Sequence, residues 1–472
     1  MSNYITTIGL EVHAELHTNS KMWCGCKNDP YEKRPNQNVC EVCMAHPGTL
    51  PVANHDAIKK VITVGSAVDG TISDFTEFDR KNYFYPDIPK GYQISQYKLP
   101  IVTGGKILDV ALTRIHLEED TAKSTHTTSA NATLVDYNRA GVPLMELVTE
   151  PVIHTAEDAG NFARELQRIL RYVGASEANM EMGQMRVEAN ISVSKDPNKF
   201  GTKCEVKNLN SFRSVEEAIK YEVARHIELI EKGGQVVQET RGWDENKQET
   251  FSQRKKENAH DYRYFPDPDL PKMYLHSLFS IDEIKSSLPT LPKEMRERLK
   301  KLNLKTDTVE ILVDSPTLVN YFNEVCKEKD AAFSNLTANY LTADILGLLK
   351  KDGKEVTNNS FPTSKNLRML IEMIEAGELS SRGAKDLLPE LLDAKGVDVK
   401  KLAEEKGLIQ KNDPELLKSI VAEVLAENPK QVEDYKNGKE AMFMFFVGQC
   451  MKKSKGAGNP QLFQELIKEA LI

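Results

Sequence analysis

Four segments of this chain alternate charged or polar side chains with apolar ones at a period of two. In Gly9-Leu10-Glu11-Val12-His13-Ala14-Glu15-Leu16, residues Glu11, His13 and Glu15 fall on one side and Leu10, Val12 and Leu16 on the other. Arg114, His116 and Glu118 alternate with Ile115 and Leu117. Arg186, Glu188, Asn190 and Ser192 alternate with Met185, Val187, Ala189, Ile191 and Val193, and Lys203, Glu205 and Lys207 with Cys204 and Val206. Successive side chains of a strand point to opposite faces, so the pattern predicts strands with one apolar and one charged face.

The simplest account of such a face is the solvated side of an antiparallel sheet. Solvated faces usually carry Lys, Thr and Gln. These strands instead repeat Glu, His, Arg and Asn, the groups that hold a divalent cation and a phosphate together. Hard cations take carboxylate oxygens, and Mg²⁺ keeps waters and substrate phosphates in its shell. Arg and Lys neutralise phosphate charge as it transfers. A P-loop is excluded, because Gly104-Gly105-Lys106 is too short and lacks the spacing, and no GxGxxG follows a strand. Any ATP site here is a carboxylate-lined sheet.

Cys24-Gly25-Cys26, thirteen residues, then Cys40-Glu41-Val42-Cys43 pairs four thiols in two tight turns. That spacing suits a closed tetrahedral zinc site, with no position left for a catalytic water, so a structural role is expected. Cys204, Cys326 and Cys450 are scattered, which fits a reduced compartment rather than a disulfide framework. His46 lies close by, with a loop or packing role expected.

With 472 residues the chain is too long for one ordinary core, and two or three domains are expected. No apolar run approaches the ~20 residues that span a bilayer, and the first residues lack the features of a signal peptide. A cytoplasmic protein is expected. A net charge of −8 argues against general polyanion coating, so RNA contact would need local basic patches.

Composition changes at Pro266-Asp267-Pro268-Asp269-Leu270-Pro271 and at Leu288-Pro289-Thr290-Leu291-Pro292, after which long stretches read as helix. The boundary is expected near residue 291. Before it, one helix is predicted from Thr155 through Phe162, Leu166, Ile169, Leu170 and Val173 to Gly174. Another opens at the capping box Ser214-Val215-Glu216-Glu217 and ends at Gly233-Gly234. Both apolar stripes are expected to be core. After the boundary, helices are predicted around 369–375 and 416–425, and a last one precedes Lys452, Lys453 and Lys455, a basic patch that is either a solvated helix end or a contact for RNA phosphates.

Several segments together resemble the GatB subunit of the aspartyl/glutamyl-tRNA(Asn/Gln) amidotransferases. They are residues 8–16, Phe78-Asp79-Arg80-Lys81-Asn82-Tyr83-Phe84-Tyr85-Pro86-Asp87, His116-Leu117-Glu118-Glu119-Asp120 and Asn138-Arg139-Ala140-Gly141-Val142-Pro143-Leu144. Lys207-Asn208-Leu209-Asn210-Ser211-Phe212 and Asp261-Tyr262-Arg263-Tyr264-Phe265-Pro266 also match, and the C-terminal part is similar to the family's YqeY-like tail. The match covers essentially the whole chain.

The resemblance implies an α+β protein: an antiparallel-sheet catalytic cradle over 1–291 with a zinc-binding insertion, a helical domain over 292–405 and a YqeY-like tail over 406–472. It implies ATP-dependent phosphorylation of the side-chain carboxylate of misacylated Glu-tRNA(Gln) or Asp-tRNA(Asn), followed by amidation. Ammonia would come from a separate amidase subunit that hydrolyses glutamine, with a small third subunit joining the two in a heterotrimer. The chain itself shows no convincing amidase nucleophile. Carried onto this sequence, the metal and phosphate residues would be Glu11, His13, Glu119, Glu146, Glu188 and Glu205, with Glu11, His13, Glu119 and Glu146 as the Mg²⁺ group. Arg186, Lys203 and Lys207 would meet phosphate. Strict alternation places Glu118 beside His116, whereas the family reading favours Glu119; a bulge would reconcile them. For Glu146, in an apolar run, the alternative to a cation is an ion pair with a basic neighbour such as Arg139.

Departures from the family pattern touch fine geometry. Glu188 stands where many relatives have Asp, Thr121-Ala122 replaces a common Ala-Gly, Ser194 replaces a common Arg, and Phe443-Met444-Phe445-Phe446 is bulkier than usual. Rival readings are a zinc-stabilised tRNA-docking scaffold without catalysis, a free-standing ATP-dependent amide ligase, and the archaeal subunit that serves only Glu-tRNA(Gln). The scaffold would not need Glu and His on inward strand faces. The ligase would not need a long helical extension, and the archaeal subunit would carry a large inserted domain that this sequence lacks.

Overall fold

A computed structural model describes residues 4–127, 132–255, 262–393, 396–410, 414–454 and 458–471. The chain separates into two compact units, Met1–Pro292 and Lys293–Ile472.

The first unit is built on a ten-stranded sheet. Its central strands are β1 (Ile5–Glu15), β4 (Val110–Glu119), β5 (Pro143–Thr149), β6 (Met185–Ser194), β7 (Cys204–Leu209), β8 (Glu239–Asp244) and β9 (Glu249–Lys255), the numbers β2 and β3 belonging to a hairpin, Asp79–Asn82 and Tyr92–Ser95. The order is β9-β8-β7-β6-β1-β5-β4, continued by Val102–Thr103 and Thr71–Ile72, with Lys106–Ile107 also pairing to β4. The sheet departs from the expected antiparallel pattern at one place. β7 and β8 run parallel, because the helix between them carries the chain back as a crossover.

One face of the sheet is apolar. Leu10 and Val12 of β1, Met145 and Leu147 of β5, Ile115 and Leu117 of β4, and Val187 and Ala189 of β6 are all buried. They share one core with helices α1 (His55–Ala67), α2 (Ala156–Tyr172) and α3 (Phe212–Glu231), through Val61, Phe162, Leu166, Leu170, Val215 and Ile219. Each of the larger side chains contributes about 1.5–3 kcal/mol by leaving water, and a one-residue slip of a strand would exchange them for Glu and His. Register is therefore fixed by what the helices cover.

Thr155 caps α2, its hydroxyl accepting from the Asp158 amide. α3 starts one turn before the expected capping box: Ser211 is the cap, accepting from the Ser214 amide, and Ser214 lies inside the first turn.

The second unit is helical, and the predicted segments fall in Ser364–Glu375 and Pro414–Glu427. Leu417, Val421 and Val424 pack with Phe446, Val447 and Cys450 of Ala441–Lys453 and with Phe463 and Ile467 of Pro460–Leu471 in a core of their own. The overall class is α+β.

Candidate active site

The other face of the sheet carries the charges, and the registers show how they align. His116 of β4 is opposite Glu146 of β5, which is opposite His13 of β1, which is opposite Arg186 of β6. One rung along, Glu11 faces Glu188, and Asn190 of β6 faces Glu205 of β7. Glu118 is opposite Leu144 and Glu119 opposite Pro143 in unbroken register. The bulge that would have turned Glu119 into this face is absent; β4 and β5 slip instead at Val148/Thr149.

Two clusters result. In the first, His13, Glu118 and Glu146 bring one ligand atom each within 4.8 Å of one another. His13 Nε2 lies 3.3 Å from Glu146 Oε2 and 3.7 Å from Glu118 Oε1, and His116 Nε2 reaches the same Glu146 oxygen at 3.3 Å. Ser95 of β3 donates to Glu118 at 2.9 Å. Burial works against a charged His13, but the hydrogen bond to Glu146 and the charges of Glu146, Glu188 and Glu118 push it up to about 9. Burial alone would raise the Glu146 carboxyl; His116 and His13 outweigh it and hold Glu146 well below the usual carboxylate range. An imidazole with two carboxylates is a donor set that could hold a divalent cation.

In the second cluster, Glu11, Glu188 and Glu205 converge within the same 4.8 Å. Lys207 bonds Glu188 and lies 3.9 Å from Glu205. Asn190 donates to Glu11 at 2.8 Å, and Thr240 to Glu205 at 2.7 Å. Burial opposes the Lys207 charge, yet Glu188 and Glu205 raise its pKa above the ordinary lysine value. Three carboxylates against one ammonium leave a negative surplus that suits a cation.

Glu119 stands apart from both clusters. It pairs with Lys90 at 2.7 Å and accepts from the Ile94 amide of β3 at 3.0 Å. Arg186 is turned to Asp120 at 3.0 Å, and Arg139 to the same carboxylate at 3.6 Å, so Arg139 is not the partner of Glu146. Lys203 is exposed and precedes β7.

The four cysteines Cys24, Cys26, Cys40 and Cys43 gather their sulfurs within 4.8 Å, with Cys40 and Cys43 Sγ 3.9 Å apart. Tetrahedral ligation at about 2.3 Å would separate sulfurs by about 3.8 Å, so the group could hold a metal ion. Cys43 is lowered by the hydrogen bond it shares with Cys24, against its own burial, and helped by the Cys40 amide and Lys21. Lys21 is fully buried, donates to the Tyr137 carbonyl at 3.0 Å, and sits 3.9 Å from Cys43 Sγ. A buried ammonium needs negative charge nearby, and a tetrathiolate site supplies it. Gly141, beside Cys43 and Lys21, takes φ +83°, the left-handed region that favours glycine.

In the second unit, Lys452 is exposed at the end of Ala441–Lys453, while Lys453 pairs with Glu423 at 2.9 Å and Glu427 at 2.5 Å. Lys455 lies outside the described residues.

Two features escape the sequence. Lys81, on β2, stands over Tyr262 (5.1 Å to the ring centre) and Tyr83 (5.9 Å), and although burial opposes it, Glu118 helps hold its pKa well above the ordinary value. β2 is four residues long, too short to display a period. Cys204, Glu222 and His226 also cluster, fully buried. Glu222 is already held by both nitrogens of Arg225 at 2.9 and 2.7 Å and by Arg241 at 3.2 Å. Two guanidiniums around one carboxylate disfavour a further cation, so this is a structural network.

Residues 6–280 match the family model described as the GatB/GatE catalytic domain, and residues 320–471 that described as the GatB domain. The sheet with its charged face is thus the catalytic domain of a GatB/GatE-type protein. The GatB subunit of the aspartyl/glutamyl-tRNA(Asn/Gln) amidotransferase of Carboxydothermus hydrogenoformans is 42% identical, over 100% of this chain and 99% of its own. The Brevibacillus brevis protein of the same name is 42% identical with the same coverage. The chloroplastic/mitochondrial GatB subunit of the glutamyl-tRNA(Gln) amidotransferase of Oryza sativa is 43% identical over 98% of this chain and 87% of its own. The chain belongs to the GatB family of amidotransferase subunits, and membership as a subunit implies a multi-subunit complex. Among the described residues, no helix is long and apolar enough to cross a membrane.

Proposed function

We propose that this protein uses ATP to phosphorylate the side-chain carboxylate of Glu on tRNA(Gln) or Asp on tRNA(Asn), and that ammonia then displaces the phosphate to give the amide. The observation that carries this reading is the pair of Glu-rich clusters, one holding His13 and one Lys207, side by side on one sheet face. A carboxylate is a poor acyl donor until one oxygen becomes part of a leaving group. Its oxygen attacks the γ-phosphorus as ADP departs, and the ammonia nitrogen then attacks the acyl carbon as inorganic phosphate departs.

Glu118, Glu146 and His13 would hold a divalent cation, with Glu11, Glu188 and Glu205 extending the acidic face; Mg²⁺ bound there supplies charge neutralisation at the phosphate oxygens. Lys81 and Lys207 stand at the edges of that face as fixed cations toward the transferring phosphoryl group. Arg186 is a weaker candidate because Asp120 holds it. The four cysteines suit a structural zinc. Ammonia would come from an amidase subunit, joined through a small third subunit, in the cytoplasm. Residues 292–405 are read as a helical domain and 406–472 as a YqeY-like tail that holds tRNA.

The test is ATP cleavage by the complex reconstituted with the amidase and the small linking subunit. Cleavage should require misacylated tRNA and accompany amide formation. ATP cleavage that ignores the aminoacyl group, or amidation without ATP, would overturn the reading.

A further inference from the structure

Five tyrosine rings form a continuous wall beside the first cluster. Tyr97 stacks on Tyr264 with centres 4.6 Å apart and planes 11° from parallel. Tyr264 meets Tyr262 at 6.1 Å, Tyr262 meets Tyr83 at 5.8 Å, and Tyr83 meets Tyr85 at 6.0 Å, each at a steep angle. The wall is anchored to the backbone of β4: the Tyr83 hydroxyl donates to Gln93 at 3.1 Å, and Gln93 donates to the Glu119 carbonyl at 2.6 Å. Lys81 stands between Tyr83 and Tyr262, and its charge and that of Glu118 act on the phenols of Tyr83 and Tyr264.

At its outer end the wall is open. Phe84 is 77% exposed and Tyr85 47%. Phe84 lies over Gly91, where a Cβ would stand 3.3 Å from its ring. Two exposed aromatic rings adjacent in the chain at one end of a ring wall are a binding feature rather than a packing one.

We infer that this wall receives the unpaired terminal nucleobase of the aminoacylated RNA, stacked against Phe84 and Tyr85. The inference rests on the function proposed above and adds how the substrate is held. An amino acid esterified to the terminal ribose cannot bring its carboxylate to Glu118 and His13 without bringing the attached base to the rim of the same site. Unpaired bases are recognised by stacking on aromatic rings, which tolerates any base because every base has a π-face. A rim of exposed rings next to the cluster matches that end of an RNA, a flat base carried beside the reacting group. The adenine of ATP shares this chemistry; the outermost position of Phe84 and Tyr85 favours the RNA end, which enters from solvent as part of a large molecule.

The experiment uses the double variant Phe84→Ala/Tyr85→Ala in the complex with the amidase and linking subunits, with Phe84→Tyr/Tyr85→Phe as the conservative control. The KM for misacylated tRNA should rise about tenfold or more in the alanine variant, with the KM for ATP unchanged and the control close to wild type. Uncharged tRNA carrying 2-aminopurine as its terminal base should be quenched on binding the wild-type complex and not the alanine variant. Equal quenching and an equal KM for tRNA would overturn the inference. So would a raised KM for ATP alone, which would give the wall to the nucleotide, or failure of the alanine variant to assemble, which would make it a contact between subunits. The quenching measurement needs no catalysis. A complex that quenches normally but never cleaves ATP therefore counts against the proposed function and leaves the wall standing.

Discussion

Glu118 and Glu119 are neighbours on one strand, yet Glu118 joins His13 at 3.7 Å while Glu119 pairs with Lys90 at 2.7 Å. Alternation forces the separation, since the register from His116 to Glu119 is unbroken. The two carboxylates therefore have different work. Glu118→Gln should lower tRNA-dependent ATP cleavage by at least a hundredfold with the melting temperature almost unchanged. Glu119→Gln leaves Lys90 without its charge partner and should destabilise the fold by about 3–5 kcal/mol, seen in thermal unfolding. A Glu119→Gln protein that is stable but inactive, beside an active Glu118→Gln protein, would reverse the assignment.

His13, His116 and Glu146 share one oxygen, which makes Glu146 the hinge of the first cluster. Alanine at Glu11, His13 or Glu146 should leave tRNA binding largely intact while amide formation falls by orders of magnitude. Basal glutamine hydrolysis by the assembled complex should persist, because on the proposed scheme the amidase chemistry belongs to a different polypeptide. Wild-type ATP cleavage by the Glu146→Ala complex would place the cation elsewhere.

The four cysteines should hold one zinc per chain, measurable by elemental analysis of protein purified reduced and without chelators. Cys24→Ser with Cys26→Ser should release it and lower the melting temperature, without directly abolishing phosphoryl transfer. Lys21→Met removes the buried ammonium beside Cys43 and should speed metal loss to a chelator. Zinc-free wild-type protein of full stability would contradict all three expectations.

How much of this was legible in the sequence depended on segment length. β1 and β6 are eleven and ten residues long, so their period of two exposed Glu11, His13, Arg186 and Glu188 directly. The choice between Glu118 and Glu119 needed the register against β5, which no single strand contains. Lys81 was hidden because a strand of four residues has no visible period and its direction is set by a hairpin. The local sequence around Glu222 and His226 shows no charge partner beyond Arg225. The further partners of Glu222, Arg241 and Thr250, arrive from β8 and β9.

In the tail, Lys453 is already paired with Glu423 and Glu427, whereas Lys452 points into solvent. Lys452→Ala should therefore weaken tRNA binding and reduce its salt slope by about 1. Lys453→Ala should do less to affinity and change stability little, as exposed pairs do. Equal loss from both, measured by filter binding across a salt series, would mean that RNA draws Lys453 out of its ion pairs.

Glu222 gives the first unit a stability that depends on acid. Burial would raise its carboxyl, but hydrogen bonds from His226, Arg225 and Thr250, together with the Arg225 charge, lower it to about 2 from an ordinary value of 4.5. A depressed carboxyl stabilises the fold fully above the unfolded-state value and loses that contribution as pH falls toward the folded-state value. The window is thus pH 4.5 down to about 2, and the contribution is about 3 kcal/mol. Trp243 is buried on β8, the strand that carries Arg241, so its fluorescence reports unfolding of this region. The urea midpoint should fall steeply across that window in the wild type. In Glu222→Gln it should start lower at pH 7, by about 3–5 kcal/mol for an orphaned buried pair, and change less on acidification. If wild type and Glu222→Gln lose stability in parallel between about pH 4.5 and 3, the acid sensitivity belongs to other carboxylates.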